Sequence, residues 1–144
     1  MTPRFDVAHI REHLKHALKH GARAEHLVEH APDFIDYLCP ATSYPGWSCD
    51  DRAFHLQRMI AQAADDIGGQ LGHAAHILYG LRPGTDVPVE QRRQHAAALV
   101  EVEPETFRKH YQQHVINDLS YRLYEHLTPY TTLRARDEGQ AQAA

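Results

Sequence analysis

Helix-period spacing of apolar residues runs through nearly the whole chain, and no segment alternates apolar and polar residues over the length of a strand. Because a sheet that is buried on one face needs that alternation, the pattern predicts an all-α fold, a compact multi-helix bundle of roughly six or seven helices. A chain of 144 residues is long enough to bury a single hydrophobic core. We therefore expect a single domain over residues 1–130, followed by a flexible polar tail over residues 131–144.

Prolines, glycines and capping residues place the predicted helix ends. Gly21 ends the first helix, Asp33 caps the third, and Asp50 or Asp51 caps the long fourth helix. The stretch 39–50, with two prolines and a glycine, is predicted to be a loop. The predicted helices cover residues 5–20, 24–30, 34–38, 50–67, 71–79, 89–99 and 105–127. The residues of the fourth helix that we predict to point inward are Phe54, Met59, Ile60, Ala63 and Ile67.

The segment 92–127 has the pattern of two helices joined by a tight turn. Ala96, Ala97 and Ala98 allow close helix packing, Val102 lies in the turn, and Pro104 suits a first helical turn. This arrangement is typical of a helix-turn-helix, so we predict a helix-turn-helix-like part over residues 70–127. The same geometry also serves as a plain packing unit.

Several short motifs lie in the same half of the chain. They are Leu78-Tyr79-Gly80-Leu81, Pro83-Gly84-Thr85, Arg92-Arg93 with Ala96-Ala97, and Glu105-Thr106-Phe107-Arg108. With these motifs, residues 73–127 resemble a small helical module common in actinobacterial proteins. The resemblance implies an interaction or regulatory role and supplies no activity that could be carried over to this chain. Many DNA-binding turns of this shape carry glycine where this chain has Glu101.

A sequence-specific DNA-binding regulator is the first alternative function. In that interpretation Arg92 and Arg93 hold phosphates while the helix after Pro104 enters the major groove. The side chains that would then reach bases are Thr106, Arg108, Lys109 and Gln112 or Gln113. The charge disfavours it, because the net charge is -4 and the pI is about 6.3, whereas DNA-binding domains usually carry a basic surface.

Thirteen histidines give the second alternative, a metal-binding protein. His9, His13, His16 and His20 recur at helical spacing on the first helix, and further i,i+4 pairs are His26/His30 and His110/His114. Such pairs suit zinc, nickel or copper, and residues 9–13 and 26–30 both match the order H-x-x-E-H of some zinc hydrolases. We favour a solvated histidine face beside the apolar one, which mild acid would make cationic, and expect neither a metal nor a cofactor.

The two cysteines, Cys39 and Cys49, are interpreted as free thiols in a reducing compartment. A zinc site made from both thiols and His55, with or without His30, is the alternative, although the spacing matches no compact zinc motif. No pattern indicates a catalytic residue.

The composition favours a non-enzymatic interaction or regulatory module in the cytosol. No apolar run is long enough to span a membrane, and the N-terminus lacks the apolar stretch of a signal peptide. We expect a protein partner, self-association or both. Trp47, the only tryptophan, either caps the core from its loop or anchors that partner.

Overall fold

The computed structural model describes residues 5–127, and all the regular secondary structure of this range is helical, as predicted. The elements are α1 (Val7–Ala17), α2 (Ala24–His30), α3 (Pro32–Leu38), α4 (Cys49–Ile67), α5 (Gly69–Leu78), α6 (Val89–Leu99), α7 (Pro104–Thr106), a π-helical turn (Phe107–Tyr111) and α8 (Gln112–Leu127). The bounds of α2 and α6 are those predicted. The predicted tail over residues 131–144 lies outside the described residues.

Helix α4 lies at the centre of the bundle and packs against α2, α3, α5 and α8, while α1 packs on α8 and α6 on α5. Small residues bring these helices close together. A methyl group added at Gly72 of α5 would lie 2.6 Å from the Ala64 carbonyl oxygen of α4, so only glycine permits this approach. Ala96 and Ala97 of α6 are fully buried, consistent with their predicted packing role, whereas the same prediction is wrong for Ala98, which is exposed.

Several predicted helix ends are wrong by a few residues. Helix α1 begins after Asp6, whose side chain caps the Ala8 amide, and it ends at Ala17 rather than at residue 20. Helix α3 begins at Pro32, so Asp33 lies inside its first turn instead of capping it. The cap of α4 is Ser48, which accepts a hydrogen bond from the Asp51 amide, because the helix begins one residue before Asp50.

The predicted inward position of Phe54 is also wrong, since the side chain is 53% exposed. Ala53, Leu56 and Ile60 form the buried face of α4. Residues that are two positions apart in an α-helix are rotated by about 200° around its axis, which places Phe54 on the side opposite Leu56. The large side chain therefore adds nothing to the core and faces solvent.

A π-helical turn separates α7 from α8, where one continuous α-helix was predicted. Its widened ring is closed by a hydrogen bond from the Gln112 amide to the Phe107 carbonyl, five residues back. Phe107 and Val115 are both buried, although eight residues of regular helix would rotate them about 80° apart. One extra residue in the turn removes most of this rotation and keeps both side chains on the core.

The turn after α6 has the hydrogen bonds of a Schellman motif. The Val102 amide donates to the Ala97 carbonyl (3.0 Å) and the Glu101 amide to the Ala98 carbonyl (3.2 Å). Glu101 adopts a left-handed conformation with φ 60°, and among the described non-glycine residues it alone has a positive φ. Helix α5 ends in the same pattern, with glycine at position 80.

Arg92 of α6 is the largest fully buried side chain of the described chain, with 1% exposure. Its guanidinium donates through Nε to the Val87 carbonyl (2.9 Å), through Nη1 to the Leu78 carbonyl, and through Nη2 to the carbonyls of Leu18 (2.8 Å) and Lys19 (3.0 Å). We call this arrangement the Arg92 hub. Leu18 and Lys19 follow α1 and Leu78 ends α5, so the cation binds the carbonyl ends of two helices, where unpaired oxygens and the helix dipoles are negative.

Two glycines leave the space that the Arg92 hub needs. A methyl group at Gly21 would lie 3.7 Å from Arg92 Nη1 and 3.1 Å from the Tyr79 carbonyl oxygen, and one at Gly80 would lie 3.5 Å from Arg92 Cδ. Both glycines have positive φ values, 87° and 71°. The adjoining Tyr79 hydroxyl donates to the Leu14 carbonyl (2.8 Å), and burial raises the pKa of this phenol. The glycine predicted to end α1 therefore also borders the hub.

Candidate functional site

The predicted phosphate contact by Arg92 is wrong, because its guanidinium is buried among carbonyl groups and cannot reach a ligand. Burial also lowers the pKa of this guanidinium. Its neighbour Arg93 is half-buried, and its Nε donates to the Gln112 side chain (2.9 Å). Two of the residues predicted to contact DNA thus bind each other, joining α6 to the start of α8.

The remaining basic residues of the predicted DNA surface are paired with a carboxylate. Glu105 lies 3.8 Å from the Lys109 ammonium and accepts a hydrogen bond from Arg108 Nε (3.2 Å). The hydrogen bond with Arg108 lowers the pKa of Glu105 and raises that of Arg108. Arg108 and Lys109 belong to the π-helical turn, and Thr106 is exposed just before it. A single acidic side chain therefore offsets one of the two positive charges of this turn.

The histidines of α1 lie along its contact with α2 and α3. His13 is half-buried and its ring centroid lies 5.1 Å from that of Phe34, while His9 stacks on Tyr37 at 4.4 Å. His20, in the turn that follows α1, stacks on His30, with ring centroids 3.6 Å apart. The interpretation of a wholly solvated face is wrong for His13 and His20, because α2 and α3 fold back over this side of α1.

The pKa values of two of these histidines are lowered. For His13 the causes are burial and then the neighbouring His9, which Asp33 partly opposes. For His20 they are burial and then His30, with Glu29 in opposition. Both imidazoles are consequently held in the neutral form more strongly than in an unfolded chain.

The candidate metal ligands do not converge as the sequence alternatives required. His13, His16 and His30 border one cavity of about 330 Å³. Over residues 5–127, however, only one trio of potential ligands has all its donor atoms within 4.8 Å of one another: Glu25, His26 and Asp86. The trio is explained by a hydrogen bond between His26 Nε2 and Asp86 Oδ1 (2.8 Å) that holds α2 against the connector before α6. His110 and His114 are exposed on the last helical segment.

The predicted alternative of a cysteine-histidine zinc site is not assembled among the described residues. Cys39 is fully buried, and burial raises the pKa of its thiol to about 11. Its carbonyl accepts a hydrogen bond from Arg52 (3.0 Å), which also pairs with Asp36 (3.1 Å). Cys49 is exposed at the first position of α4. Both cysteines are free thiols, and Cys39 is the buried one.

Four aromatic side chains form a surface where the loop of residues 39–48 meets α4. Trp47 packs on Tyr44 (5.0 Å between ring centroids) and edge-on against His55 (5.6 Å), and His55 also contacts Tyr44 (5.3 Å). Phe54 borders the same depression as Trp47 and His55. We call Tyr44, Trp47, Phe54 and His55 the aromatic surface. Trp47 does not cap the core, because 45% of it is exposed.

The depression in the aromatic surface has a volume of about 270 Å³. Asp51 and Arg58 of α4 and Gly46 of the loop complete its lining. Burial, and then the positive charge of Arg58, lower the pKa of His55. Small-molecule sites usually measure about 300–1,000 Å³, so a depression of this size suits one or two side chains of a partner better than a cofactor.

A second groove of about 360 Å³ continues from His55 on the other side of Tyr44. Apolar residues of its lining include Leu38, Pro40, Met59 and Leu127, and polar ones include Ser43 and His126. His126 closes one end and bonds through Nε2 to Asp66 (2.6 Å). The aromatic surface and this groove share His55 and together form one face beside the amino-terminal half of α4.

Sequence reasoning identified Trp47 but missed Phe54, Asp51 and Arg58 as surface residues. A signal was present, since residues 51, 54 and 58 fall on one helical face and 53, 56 and 60 on the opposite one. Only the second set is small or aliphatic throughout. Phe54 was nevertheless predicted to point inward, because a phenylalanine is more often buried than exposed.

None of the helices within residues 5–127 combines the length and the apolar character that crossing a lipid bilayer requires. Comparisons of the chain with protein-family models, with curated proteins and with solved structures find no match. The resemblance to an actinobacterial helical module therefore stays a prediction.

Proposed function

We propose that the chain is a non-enzymatic interaction or regulatory module that binds a helical segment of a partner protein through the aromatic surface. The observation that carries the proposal is the exposure of Trp47 (45%) and Phe54 (53%) around one depression. Among the described residues, Tyr121 is the one other large apolar side chain that is as exposed, and it lies apart on α8. Clustered exposed apolar side chains mark interaction sites, whereas single ones need no explanation.

The chemistry of this surface matches that of protein-binding hot spots. Such hot spots are enriched in tryptophan, tyrosine and arginine, and Trp47, Tyr44 and Arg58 supply all three here. Asp51 and Arg58 border the depression on opposite sides of Phe54 along α4. We therefore expect a partner helix that inserts a bulky apolar side chain and carries a basic and an acidic residue on either side of it.

A random-peptide display library panned on the wild-type protein tests this proposal. We expect enriched peptides that combine a bulky apolar residue with flanking charges of both signs. Phe54→Ala and Trp47→Ala should each weaken their binding by about tenfold or more, as for a central interface residue. Tyr121→Ala is the matched control, because it removes an equally exposed ring outside the surface and should leave the affinity unchanged.

Thermal unfolding of each variant separates a lost contact from a lost fold. The proposal would be overturned if no peptide were enriched, or if the peptides bound the Phe54→Ala and Tyr121→Ala proteins equally well. The DNA-binding alternative has lost one of its two predicted phosphate ligands, since Arg92 is buried. Binding of duplex DNA at about 50 mM salt, where electrostatic attraction is strongest, would revive it.

A further inference from the structure

The exposed face of α4 carries charges that are placed almost symmetrically about an aromatic ring. Asp51, Phe54 and Arg58 line the same depression at positions i, i+3 and i+7. At about 1.5 Å of rise per residue, Asp51 and Arg58 are separated by about 10.5 Å along the helix axis. Phe54 lies near the midpoint between them. We call these three residues the α4 strip.

The two charges of the α4 strip are not used by the rest of the described fold. Over residues 5–127, neither the Asp51 carboxylate nor the Arg58 guanidinium makes an ion pair or a side-chain hydrogen bond. Asp51 gains some stabilisation from the positive end of the α4 dipole, as Asp50 does. Arg58 lies in the middle of the helix, where the dipole offers no such gain. Its charge is available to a partner.

A sequence of acid, aromatic and base along one helix face is complementary to itself when a second copy runs in the opposite direction. A two-fold axis through Phe54 brings Asp51 of one copy beside Arg58 of the partner subunit and Arg58 beside Asp51 of the partner subunit. The two Phe54 rings then meet at the axis. Such isologous contacts are the commonest route to a symmetric dimer.

We propose that the α4 strip binds a second copy of this chain in an antiparallel, two-fold symmetric contact. The proposal rests on the aromatic surface of the proposed function and names its partner. Trp47 flanks the strip and would cover the edge of the paired Phe54 rings. Because the strip is short, the interface is at the small end of specific contacts, and the dimer is weak and reversible.

Charge reversal with sedimentation velocity tests this pairing. In the full chain, Asp51→Arg alone and Arg58→Asp alone each place like charges opposite each other, so each variant should sediment as a monomer where the wild type forms a dimer. An equimolar mixture of the two variants restores opposite charges at both positions and should form a heterodimer. The double variant should form a homodimer again. Phe54→Ala should weaken the dimer by about tenfold or more.

Glu90→Arg is the matched control, because Glu90 is also an exposed acidic residue in the first turn of its helix, α6. Glu90→Arg makes the same change in net charge as Asp51→Arg and should leave the dimer intact. A wild-type protein that stays monomeric at high micromolar concentration would overturn the proposal, and so would a mixture of charge variants that does not associate. Peptides that still bind at Phe54 would then leave the proposed function standing with a different partner.

Discussion

The Arg92 hub and the aromatic surface are opposite exceptions to the rule that polar groups lie outside and apolar groups inside. In the hub a cation with 1% exposure lies among the ends of α1, α5 and α6. At the aromatic surface two large rings, Trp47 and Phe54, remain about half exposed. They differ in whether the rest of the chain compensates for the exception. The chain supplies hydrogen-bond acceptors to the buried cation, whereas it does not bury the exposed rings.

The hub is satisfied from within, since four of the five N–H donors of the guanidinium have carbonyl partners. A buried cation with four of its five donors hydrogen-bonded to the backbone needs no ligand to explain it, so the hub indicates a structural role. The rings of Trp47 and Phe54 gain little from the fold beneath them. Exposure without internal compensation is therefore the better guide to function in this protein.

Arg92→Met should be the most damaging substitution. It removes the cation and leaves buried carbonyls of α1, α5 and the connector without a donor, at a cost of about 3–5 kcal/mol in the free energy of unfolding. Arg93→Met is the control next to it and loses one hydrogen bond to Gln112, at about 0.5–1.5 kcal/mol. Urea unfolding measures both, and equal losses would contradict the structural role of the hub.

His13 of α1 and His20 of the turn after it are intermediate in burial between the Arg92 hub and the aromatic surface. Mild acid should weaken their contacts with α2 and α3. The folded pKa values of His13 and His20 are lowered, so the unfolded chain binds protons more strongly. The contribution of these neutral histidines to the free energy of unfolding is therefore fully present above the ordinary histidine pKa of about 6.5 and is lost as the pH drops below it. Urea midpoints at a series of pH values measure the loss.

His20→Gln should reduce this pH dependence, because it removes one of the two rings stacked at 3.6 Å. His95→Gln changes an exposed histidine of α6 and should preserve the dependence. If both variants showed the wild-type slope, the stacked pair would not be the cause.

Glu101→Gly should stabilise the protein by about 0.5–1 kcal/mol, since glycine adopts the left-handed conformation without the strain of a side chain. The reverse change at the equivalent turn, Gly80→Ala, should destabilise, because a methyl group there would lie 3.3 Å from the Thr85 carbonyl oxygen. Thermal unfolding of the two variants measures both effects. A loss of stability in Glu101→Gly would show that the glutamate has a compensating role.

Phe54→Ala should change the free energy of unfolding least, by no more than about 0.5 kcal/mol, as for exposed positions away from special features. Urea unfolding checks this alongside the binding experiments. Leu56→Ala, two residues away on the buried face, should cost about 2–5 kcal/mol. A large loss at Phe54 would place it in the core and remove the reason for a binding surface.

The fold class could be predicted because helical periodicity, Gly21 and the proline-rich loop are local signals. The Arg92 hub could not, since its carbonyl partners at residues 18, 19 and 78 are distant in sequence and carbonyl groups leave no trace in side-chain patterns. An arginine beside a second arginine suggested phosphate binding, whereas only one of the pair reaches the surface even partly.

The candidate site was predicted in part, through Trp47 in its loop. Phe54 was assigned inward because residue type was given more weight than its position relative to Ala53 and Leu56. The histidines of α1 were assigned to solvent because the return of α2 and α3 over them depends on Pro32 and on packing between helices. For Phe54 the signal was therefore present in the sequence, whereas for the histidines the missing information was which other segment covers their face of the helix.

The Arg92 hub also bears on whether the protein can be divided. A fragment over residues 70–127 would keep the arginine and the Leu78 carbonyl but would lose both carbonyls that follow α1. Its guanidinium would be left partly unpaired in a half-formed interior, while the complementary fragment would present helix ends without their cation. The two halves are therefore poor candidates for separate expression, and fusions or transplants should carry residues 5–127 as one indivisible unit.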